Sequence, residues 1–258
     1  MLVLDLRKKR LWFFLMAIVL ILAVLFFFFN YLESNYLFSA VSQTVRSLPI
    51  YKVDTTENKL SISFDASWGA EHTEKILDIL DKYQIKATFF LVNIWLEDYP
   101  EMAQKIAARG HEIGLHSTTH PHFSQLSENQ MEEELKTNWQ KIQDITKKNA
   151  ILFRPPFGDY DNRVIKTSEN LGYIPIQWSI DSLDWKDLSS QEIQNRVLKN
   201  IGPGDIVLFH NNGKYTAEAL EPILENLQKK NLQVVPIGEL IFQKDYYIDY
   251  NGVQHCKN

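Results

Sequence analysis

Hydrophobic residues follow two different patterns along the chain. Residues 11–29 form an uninterrupted apolar run, close to the ~20 residues that a helix needs to cross the hydrocarbon core of a bilayer. From Lys59 onward, short apolar runs typical of buried strands alternate with longer amphipathic segments typical of helices. The first pattern predicts a membrane helix, and the second predicts a folded α/β domain.

The alternating region predicts seven strand–helix units. The predicted strands cover residues 60–64, 87–92, 111–115, 151–153, 173–179, 205–209 and 232–237. The predicted helices cover residues 70–83, 97–109, 127–147, 162–171, 189–200, 216–230 and 238–243. This alternation predicts a parallel sheet with helices outside it, either as an open doubly wound sheet or as a closed barrel. The sequence contains no glycine-rich nucleotide-binding fingerprint to support a dinucleotide-binding fold.

The N-terminal pattern predicts a membrane anchor. The basic cluster Arg7–Arg10 precedes the apolar run, and such clusters face the cytoplasm. A cleaved signal peptide is the alternative, but it would have a shorter apolar region followed by small residues, whereas this run ends in Phe26–Phe29. We therefore expect a single-pass protein of the cell membrane with its main domain outside. The expected divisions are an anchor, a juxtamembrane linker, a folded domain and a tail, over residues 1–30, 31–58, 59–243 and 244–258.

The charge and the cysteine content limit the partners. The net charge is −5, and the chain after residue 30 carries −8, since residues 1–30 hold four basic residues and one acidic residue. An acidic domain argues against nucleic acid as a partner. The single cysteine, Cys256, cannot form an intramolecular disulfide, so we assign it no role.

Ionisable residues stand where five of the predicted strands end. They are Asp65, His116 with His120, Arg154, Asp181 with Asp184, and His210. In parallel barrels the active site is built at the carboxyl ends of several strands, so we expect these residues to share one site. Taken alone, His116 and His120 are equally well explained as two exposed loop histidines, because two nearby histidines are a weak signal.

Five ordered segments carry a family resemblance. They are Phe64-Asp65, His116-Ser117-Thr118-Thr119-His120, Arg154-Pro155-Pro156-Phe157-Gly158, Asp181-Ser182-Leu183-Asp184-Trp185 and Ile206-Val207-Leu208-Phe209-His210. They resemble the five motifs of the NodB-type polysaccharide deacetylases, carbohydrate esterase family 4, over about residues 59–243. The segment Phe64–Gly69 is similar to the sporulation-associated branch of Gram-positive bacteria. The resemblance implies a distorted (β/α)7 barrel, the NodB homology domain. It also implies a hydrolase of carbon–nitrogen bonds other than peptide bonds, which removes acetyl groups from peptidoglycan or a chitin-like glycan polymer.

The resemblance assigns roles that fit the chemistry of each residue. A divalent ion on His116 and His120 would activate water and polarise the acetyl carbonyl; zinc is expected, with cobalt, nickel or manganese as alternatives. Asp65 would act as general base, with Arg154 holding its carboxylate in place. His210 would protonate the leaving nitrogen, kept protonated by a neighbouring carboxylate.

Alternatives remain for several of these residues. Asp184 is favoured over Asp181 as the partner of His210, and the other one is expected to cap a loop. Arg154 is alternatively a structural ion-pair residue, and Trp185 a core residue. The predicted substrate-binding residues are Pro156, Phe157, Trp185 and Leu208, of which the last three would form an apolar slot for the acetyl methyl group. The histidines expected to lie outside the chemistry are His72, His111, His122 and His255.

One position departs from the family pattern. Active members usually carry two adjacent aspartates in the first motif, the second of which binds the metal, whereas this chain has Ala66 there. Three protein ligands are usual for catalytic zinc. The metal could bind through two histidines and water with reduced affinity, or Asp65 could become a ligand. The missing group could also come from one of three other residues, namely Ser67, His72 or His122.

These possibilities leave three hypotheses. The first, favoured because a base, an acid and two metal ligands are retained together, is a metal-dependent glycan N-deacetylase. The second is a catalytically impaired or non-catalytic glycan-binding protein on the same fold. The third is a glycosidase that uses paired carboxylates, which is disfavoured because the candidate acids are matched with His and Arg residues rather than with each other.

Overall fold

The computed structural model describes residues 3–42 and 46–257, which divide into two compact units, residues 1–46 and 47–258. In the first unit, helix α1 covers Val3–Ser42. Its segment Leu11–Leu32 is long and apolar enough, by length and composition, to cross a membrane. The predicted anchor therefore lies inside a longer helix that continues into the residues predicted as a linker.

The second unit contains the predicted α/β domain. Its strands are β1 Lys52–Val53, β2 Lys59–Ala66, β3 Thr88–Leu91, β4 Glu112–Leu115, β5 Leu152–Phe153, β6 Ile174–Pro175, β7 Ile180–Asp181, β8 Ile206–His210, β9 Gln233–Val234, β10 Tyr246–Ile248 and β11 Val253–Cys256. Its helices are α2 Thr73–Lys82, α3 Asn93–Asp98, α4 Pro100–Ala108, α5 Glu128–Thr146, α6 Asn162–Asn170, α7 Ser190–Leu198, α8 Thr216–Lys229 and α9 Ile237–Leu240.

The central sheet is parallel, as the alternating pattern predicts. Its strand order is β6-β5-β4-β3-β2-β8-β7, and β9 pairs with the beginning of β2. Among the described residues, β6 and β7 form the two ends of this order and do not pair with each other. The sheet is therefore a curled half-barrel surrounded by helices, which confirms the predicted fold class. The expected distortion of the barrel is the missing pairing between β6 and β7.

Strand β2 lies inside the sheet between β3 and β8, and its apolar side chains pack on both of these strands. Phe64 is fully buried and stacks on Phe89 of β3, with ring centroids 4.9 Å apart. It also stacks on Phe209 of β8 at 5.7 Å. Such aromatic pairs contribute beyond the area they bury. Asp65 follows Phe64 directly, so this packing fixes the position of its carboxylate.

Two predicted elements are divided in the structure. Within the predicted strand over 173–179 only β6, Ile174–Pro175, is a strand, and β7 begins beyond it at Ile180, with Trp178 in the segment between them. The predicted helix over 97–109 is replaced by α3 and α4, which meet at Tyr99 and Pro100. A proline lacks the backbone N–H that a continuing helix needs, but it is well tolerated at a helix start.

The residues predicted as a linker and as a tail both contain strands. Strand β1 lies within 31–58, and strands β10 and β11 lie within 244–258. These three strands form a separate sheet in the order β1-β11-β10. The buried side chain of Gln254 ties this sheet to the end of α9, because it bonds to both the backbone N–H and the carbonyl of Phe242. The terminal residues are therefore part of the folded unit.

Candidate active site

Strand register brings the predicted residues together at one edge of the sheet. Asp65 at the end of β2 is the direct partner of His210 at the end of β8. Leu115 of β4 is paired with Phe153 of β5, so the residues that follow them, His116 and Arg154, are neighbours. Four of the five strand-end positions therefore meet in two adjacent pairs.

A cavity of about 660 Å³ opens at this edge. It is lined by nine of the eleven residues predicted from the sequence, namely Asp65, His116, His120, Phe157, Asp181, Asp184, Trp185, Leu208 and His210. Arg154 and Pro156 are the other two, and both are buried without lining the cavity. Trp185 is 57% exposed, so the interpretation of this residue as part of the core is wrong.

Asp65 and Arg154 form a buried ion pair. Arg154 Nη1 donates to Asp65 Oδ1 at 2.7 Å, and Nη2 donates to the carbonyl of Gln177 at 3.1 Å. The guanidinium also lies 4.1 Å from the ring centroid of Phe90. Burial would raise the pKa of Asp65, but the nearby charges, chiefly that of Arg154, outweigh burial and hold the pKa below its ordinary value. Asp65 is therefore ionised, and its Oδ2 faces the cavity side, 3.6 Å from Nε2 of His116.

His116 is held in a defined tautomer. Its Nδ1 donates to the backbone carbonyl of Arg154 at 2.8 Å. Burial lowers the pKa of His116, so the ring is neutral and Nε2 is its acceptor nitrogen. A backbone carbonyl bound to one nitrogen is the usual way in which a metal-binding histidine is oriented.

His120 lies between aromatic side chains. Its ring centroid is 4.9 Å from that of His116, 4.9 Å from that of Trp68 and 4.5 Å from that of Phe157. Its Nδ1 is buried and has no hydrogen-bond partner among residues 3–42 and 46–257. Burial lowers the pKa of His120 to about 3. His120 and Ser117 both have positive φ, 58° and 77°, a strained backbone that tends to cluster at functional sites.

Helix α5 holds the loop that carries both histidines. The carboxylate of Glu134 accepts the backbone N–H groups of Thr118 and Thr119, each at 2.8 Å. The buried amide of Asn138 accepts the backbone N–H of His116 at 3.0 Å and donates to the carbonyl of Leu91 at 3.0 Å. The loop is therefore fixed by side chains from a neighbouring helix.

The predicted contact between His210 and Asp184 is present. His210 Nδ1 lies 2.7 Å from Asp184 Oδ1, and the backbone N–H of His210 donates to Oδ2 at 2.8 Å. Thr216 Oγ1 also donates to Oδ2 at 2.6 Å. Burial would lower the pKa of His210, but Asp184 outweighs it and raises the pKa above the ordinary value. Asp181, in contrast, accepts the N–H of Leu183 at 2.9 Å, as expected for a loop-capping residue.

The described residues do not complete a catalytic metal centre. Nε2 of His116 and the ring of His120 could supply two ligands. Oδ1 of Asp65 accepts from Arg154, which leaves only its Oδ2 beside the histidines. Ala66 is fully buried and has no donor atom. Among residues 3–42 and 46–257, no group of three or more His, Cys, Asp or Glu side chains is arranged to hold a metal ion. Two protein ligands fall short of the three that catalytic zinc sites usually have.

The three residues considered as substitutes for the missing metal ligand differ in whether they line the cavity. Ser67 lines the cavity, whereas His72 and His122 do not. His122 stacks on Phe157 at 4.4 Å between ring centroids, and its Nδ1 lies 3.7 Å from Asp159. Of the three, only Ser67 therefore lines the same cavity as His116 and His120.

The sequence predictions missed the residues that support the site. Trp68, Trp178 and Lys214 line the cavity. Thr216 bonds to the Asp184 carboxylate, and Asn138 holds the histidine loop. Asn138 could have been noticed, because it follows Met131 and Leu135 at helical spacing on the buried face of α5. Thr216 carried no such signal, since it begins a helix as many threonines do.

Comparisons with known proteins agree with this geometry. Residues 52–176 match the family model described as polysaccharide deacetylase. The chain is 36% identical over 215 residues to YlxY of Bacillus subtilis (strain 168), covering 81% of this chain and 67% of that protein. It is 33% identical over 199 residues to a peptidoglycan-N-acetylglucosamine deacetylase of Bacillus cereus (strain ATCC 14579), covering 75% of this chain and 93% of that protein.

A solved structure adds a comparison at the level of the fold. It is of a mutant of BA3943, a CE4 family pseudoenzyme from Bacillus anthracis, and is described as having restored enzymatic activity. The TM-score is 0.72 at 33% identity, covering 74% of this chain and 70% of that chain. The resemblance seen in the five motifs is thus confirmed, and the hydrolase class of the relatives follows from their names. This chain belongs to the polysaccharide deacetylase family, carbohydrate esterase family 4.

Proposed function

We propose that the cavity binds the N-acetylated glycan of peptidoglycan and that its hydrolysis of the acetamido groups is impaired. The observation that carries this proposal is Ala66, a buried apolar residue where active relatives usually have a metal-binding aspartate. Relatives named as peptidoglycan deacetylases support the glycan as ligand. A similar fold described as a CE4 family pseudoenzyme supports the impairment.

The groups that would contact an acetamido substituent remain in place. Asp65 is an anionic acceptor, and His210 is a donor whose raised pKa favours the imidazolium. Phe157, Trp185 and Leu208 give the same cavity apolar surface for the acetyl methyl group. Small-molecule sites of this kind are mostly apolar with a few directed polar groups. The cavity is therefore suited to holding an N-acetyl group between a donor and an acceptor.

The N-terminal helix would keep this cavity at the cell surface. We propose that Leu11–Leu32 anchors the chain in the cell membrane with Arg7–Arg10 on the cytoplasmic side, because basic residues stay on that side. The folded unit would then face the wall. No nucleic acid is expected, because the chain after residue 30 is acidic.

Cosedimentation tests the glycan proposal. The full-length chain, solubilised in detergent, should sediment with purified N-acetylated peptidoglycan and be released by soluble N-acetylglucosamine oligomers. A His210→Ala variant should bind at least about tenfold more weakly, the effect of losing one charge-assisted hydrogen bond. Equal sedimentation with a wall polymer that lacks N-acetyl groups would contradict the proposal.

A competent metal-dependent N-deacetylase is the second candidate. Two observations favour it: Nδ1 of His120 is buried without a partner, and His116 is oriented as a ligand would be. When bound, a divalent ion, with zinc expected, would supply an activated water and a polarised carbonyl. Elemental analysis of purified protein distinguishes the candidates, because this one requires stoichiometric metal that His116→Ala abolishes. The lead proposal predicts substoichiometric metal in the unmutated chain.

A further inference from the structure

Large apolar side chains are exposed at few places in the folded unit. Those on its described surface are Trp68, Ile94, Phe157, Trp185, Tyr247 and Tyr250. Three of them, Trp68, Phe157 and Trp185, line the same cavity. Apolar surface concentrated in this way marks a site that a ligand covers. Trp68 stands out because the expected slot for the acetyl group does not need it.

The loop that carries Trp68 is fixed. The carbonyl of the next residue, Gly69, accepts two hydrogen bonds, from Trp95 Nε1 at 2.7 Å and from Asn211 Nδ2 at 2.8 Å. Asn211 is fully buried and also donates to Thr73 Oγ1 at 3.0 Å. The loop is thus tied directly to α3 and to the segment after β8, and through Asn211 to α2. Trp68 is 56% exposed on a rigid support, so binding would cost little ordering entropy.

Trp68 lies on the His120 side of the cavity. Its ring meets that of His120 edge to face, with centroids 4.9 Å apart and planes at 68°. Phe157 meets the same His120 ring at 4.5 Å. Because the ring contact uses only part of the indole, much of its surface remains open to solvent. The aromatic rim formed by Trp68 and Phe157 therefore borders the His120 side of the cavity.

We propose that Trp68 is a stacking platform for a pyranose ring of the glycan on the His120 side of the cavity. This inference rests on the proposed function and adds a binding residue to it. A β-linked hexosamine has ring faces made of axial C–H groups, while its polar substituents point outward from the ring edge. Such a face packs on an indole while the polar substituents stay in water, the kind of mixed contact for which tryptophan is suited. A nucleic-acid base is disfavoured, because the acidic domain would repel the phosphates.

A purely local role for Trp68 makes a different prediction. If the indole only shields His120 from water, another apolar side chain of similar reach would replace it. Leucine provides apolar cover without a flat ring face, whereas phenylalanine provides the ring. Comparing these two substitutions therefore separates stacking on a ligand from shielding of His120.

The test is calorimetric titration of the full-length chain in detergent with a β-linked N-acetylglucosamine oligomer. Trp68→Leu and Trp68→Ala should each raise Kd by about tenfold or more, the loss expected for one central aromatic contact. Trp68→Phe should stay within about threefold of the unmutated chain. Tyr250→Ala is the matched control, because this residue is 89% exposed and does not line the cavity. It should leave Kd unchanged.

The outcomes separate this inference from the proposed function. If the unmutated chain binds the oligomer and Trp68→Leu binds it equally well, the platform is overturned and the proposed function stands. If the unmutated chain does not bind, the proposed function fails and the platform fails with it. Because Trp68 is more than half exposed, the variants should unfold at the temperature of the unmutated chain. Should Trp68→Ala fail to fold, the contrast between Trp68→Leu and Trp68→Phe still decides.

Discussion

Arg154 and Asp65 depend on each other because both are buried. Arg154 is fully buried and Asp65 is 5% exposed, and their closest atoms are 2.7 Å apart. Removing one partner of such a pair leaves an uncompensated charge in a poorly solvated place. The two interpretations of Arg154 are therefore compatible. The same contact makes it a structural ion-pair residue and orients the carboxylate of Asp65.

Replacing Arg154 should strongly destabilise the folded unit. We expect Arg154→Leu to lower the free energy of unfolding by about 3–5 kcal/mol, the cost of leaving a buried carboxylate unpaired. Urea denaturation followed by near-ultraviolet circular dichroism measures this loss. The control is Lys136→Ala, which removes an exposed pair with Glu132 and should cost less than about 1 kcal/mol. A loss below about 1 kcal/mol for Arg154→Leu would show that the pair is not buried as described.

The pH response of the site should depend on Asp184. Because the pKa of His210 is raised in the folded state, the unfolded chain releases its proton first as pH increases. The contact with Asp184 therefore stabilises the fold fully below the unfolded pKa of about 6.5, and this stabilisation is lost as pH rises through the folded pKa. In Asp184→Asn the burial of His210 is opposed only by the charges of Asp65 and Asp181, so its pKa should fall.

Histidine NMR titration in the presence of a chelator checks this expectation. Asp187→Asn is the control, because Asp187 is exposed and lines the same cavity without bonding to His210. It should change the His210 titration much less. An unchanged His210 pKa in Asp184→Asn would contradict the assigned role of this carboxylate.

The residues whose side chains could take part in a reaction were predictable from the sequence. The residues that hold them in place mostly were not. Asp65, His116 and His210 are recognisable because their residue types and strand-end positions suit a reaction. Trp68 and Thr216 act through contacts with residues distant in the sequence, 52 and 32 positions away. Such contacts follow from the packing of the fold and leave no local pattern.

At the scale of elements, helix α5 determines where the histidine loop lies. Glu134 accepts both Thr118 and Thr119 N–H groups, and Thr119 Oγ1 donates to the same carboxylate at 2.6 Å. A carboxylate that accepts several backbone donors ties a loop to its helix. The loop should therefore open less often than an ordinary surface turn.

Removing this carboxylate should loosen the loop. In Glu134→Ala we expect the amides of Thr118 and Thr119 to exchange hydrogen at least about tenfold faster, because their acceptor is lost. Amide hydrogen exchange measured by NMR gives the rates. Glu133→Ala is the matched control on the same helix, since Glu133 accepts only from Thr137 Oγ1 among the described contacts. Equal exchange in the two variants would mean that α5 does not fix the loop.

Periodicity predicted the long elements better than the short ones. Helix α5 spans 19 residues with a capping box, and the prediction over 127–147 nearly matches it. Strands β6 and β7 have two residues each, too few to show a period of two. The apolar run over 173–179 therefore looked like one strand. The sheet of β1, β10 and β11 was missed for the same reason, since its strands have two to four residues.

At the scale of the whole molecule, the chain combines an apolar helix with a folded unit whose active-site edge is complete except at one position. Three strand ends still bring Asp65, His210 and the imidazoles of His116 and His120 to one cavity. Only the carboxylate expected at position 66 is missing. We propose that the fold and the glycan cavity are intact, and that one missing metal ligand separates this chain from an efficient deacetylase.

The most direct test is acetate release from N-acetylated peptidoglycan by the full-length chain and by its Ala66→Asp variant, both saturated with zinc. We expect the variant to release acetate at least about tenfold faster, because it gains a third ligand and even outer-shell partners of metal ligands change metal affinity or activity by about tenfold or more. Ala66→Asn, which buries a polar group of similar size without the charge, should remain close to the unmutated chain. Acetate release by the unmutated chain as fast as that of Ala66→Asp would contradict the proposal that the missing ligand impairs hydrolysis.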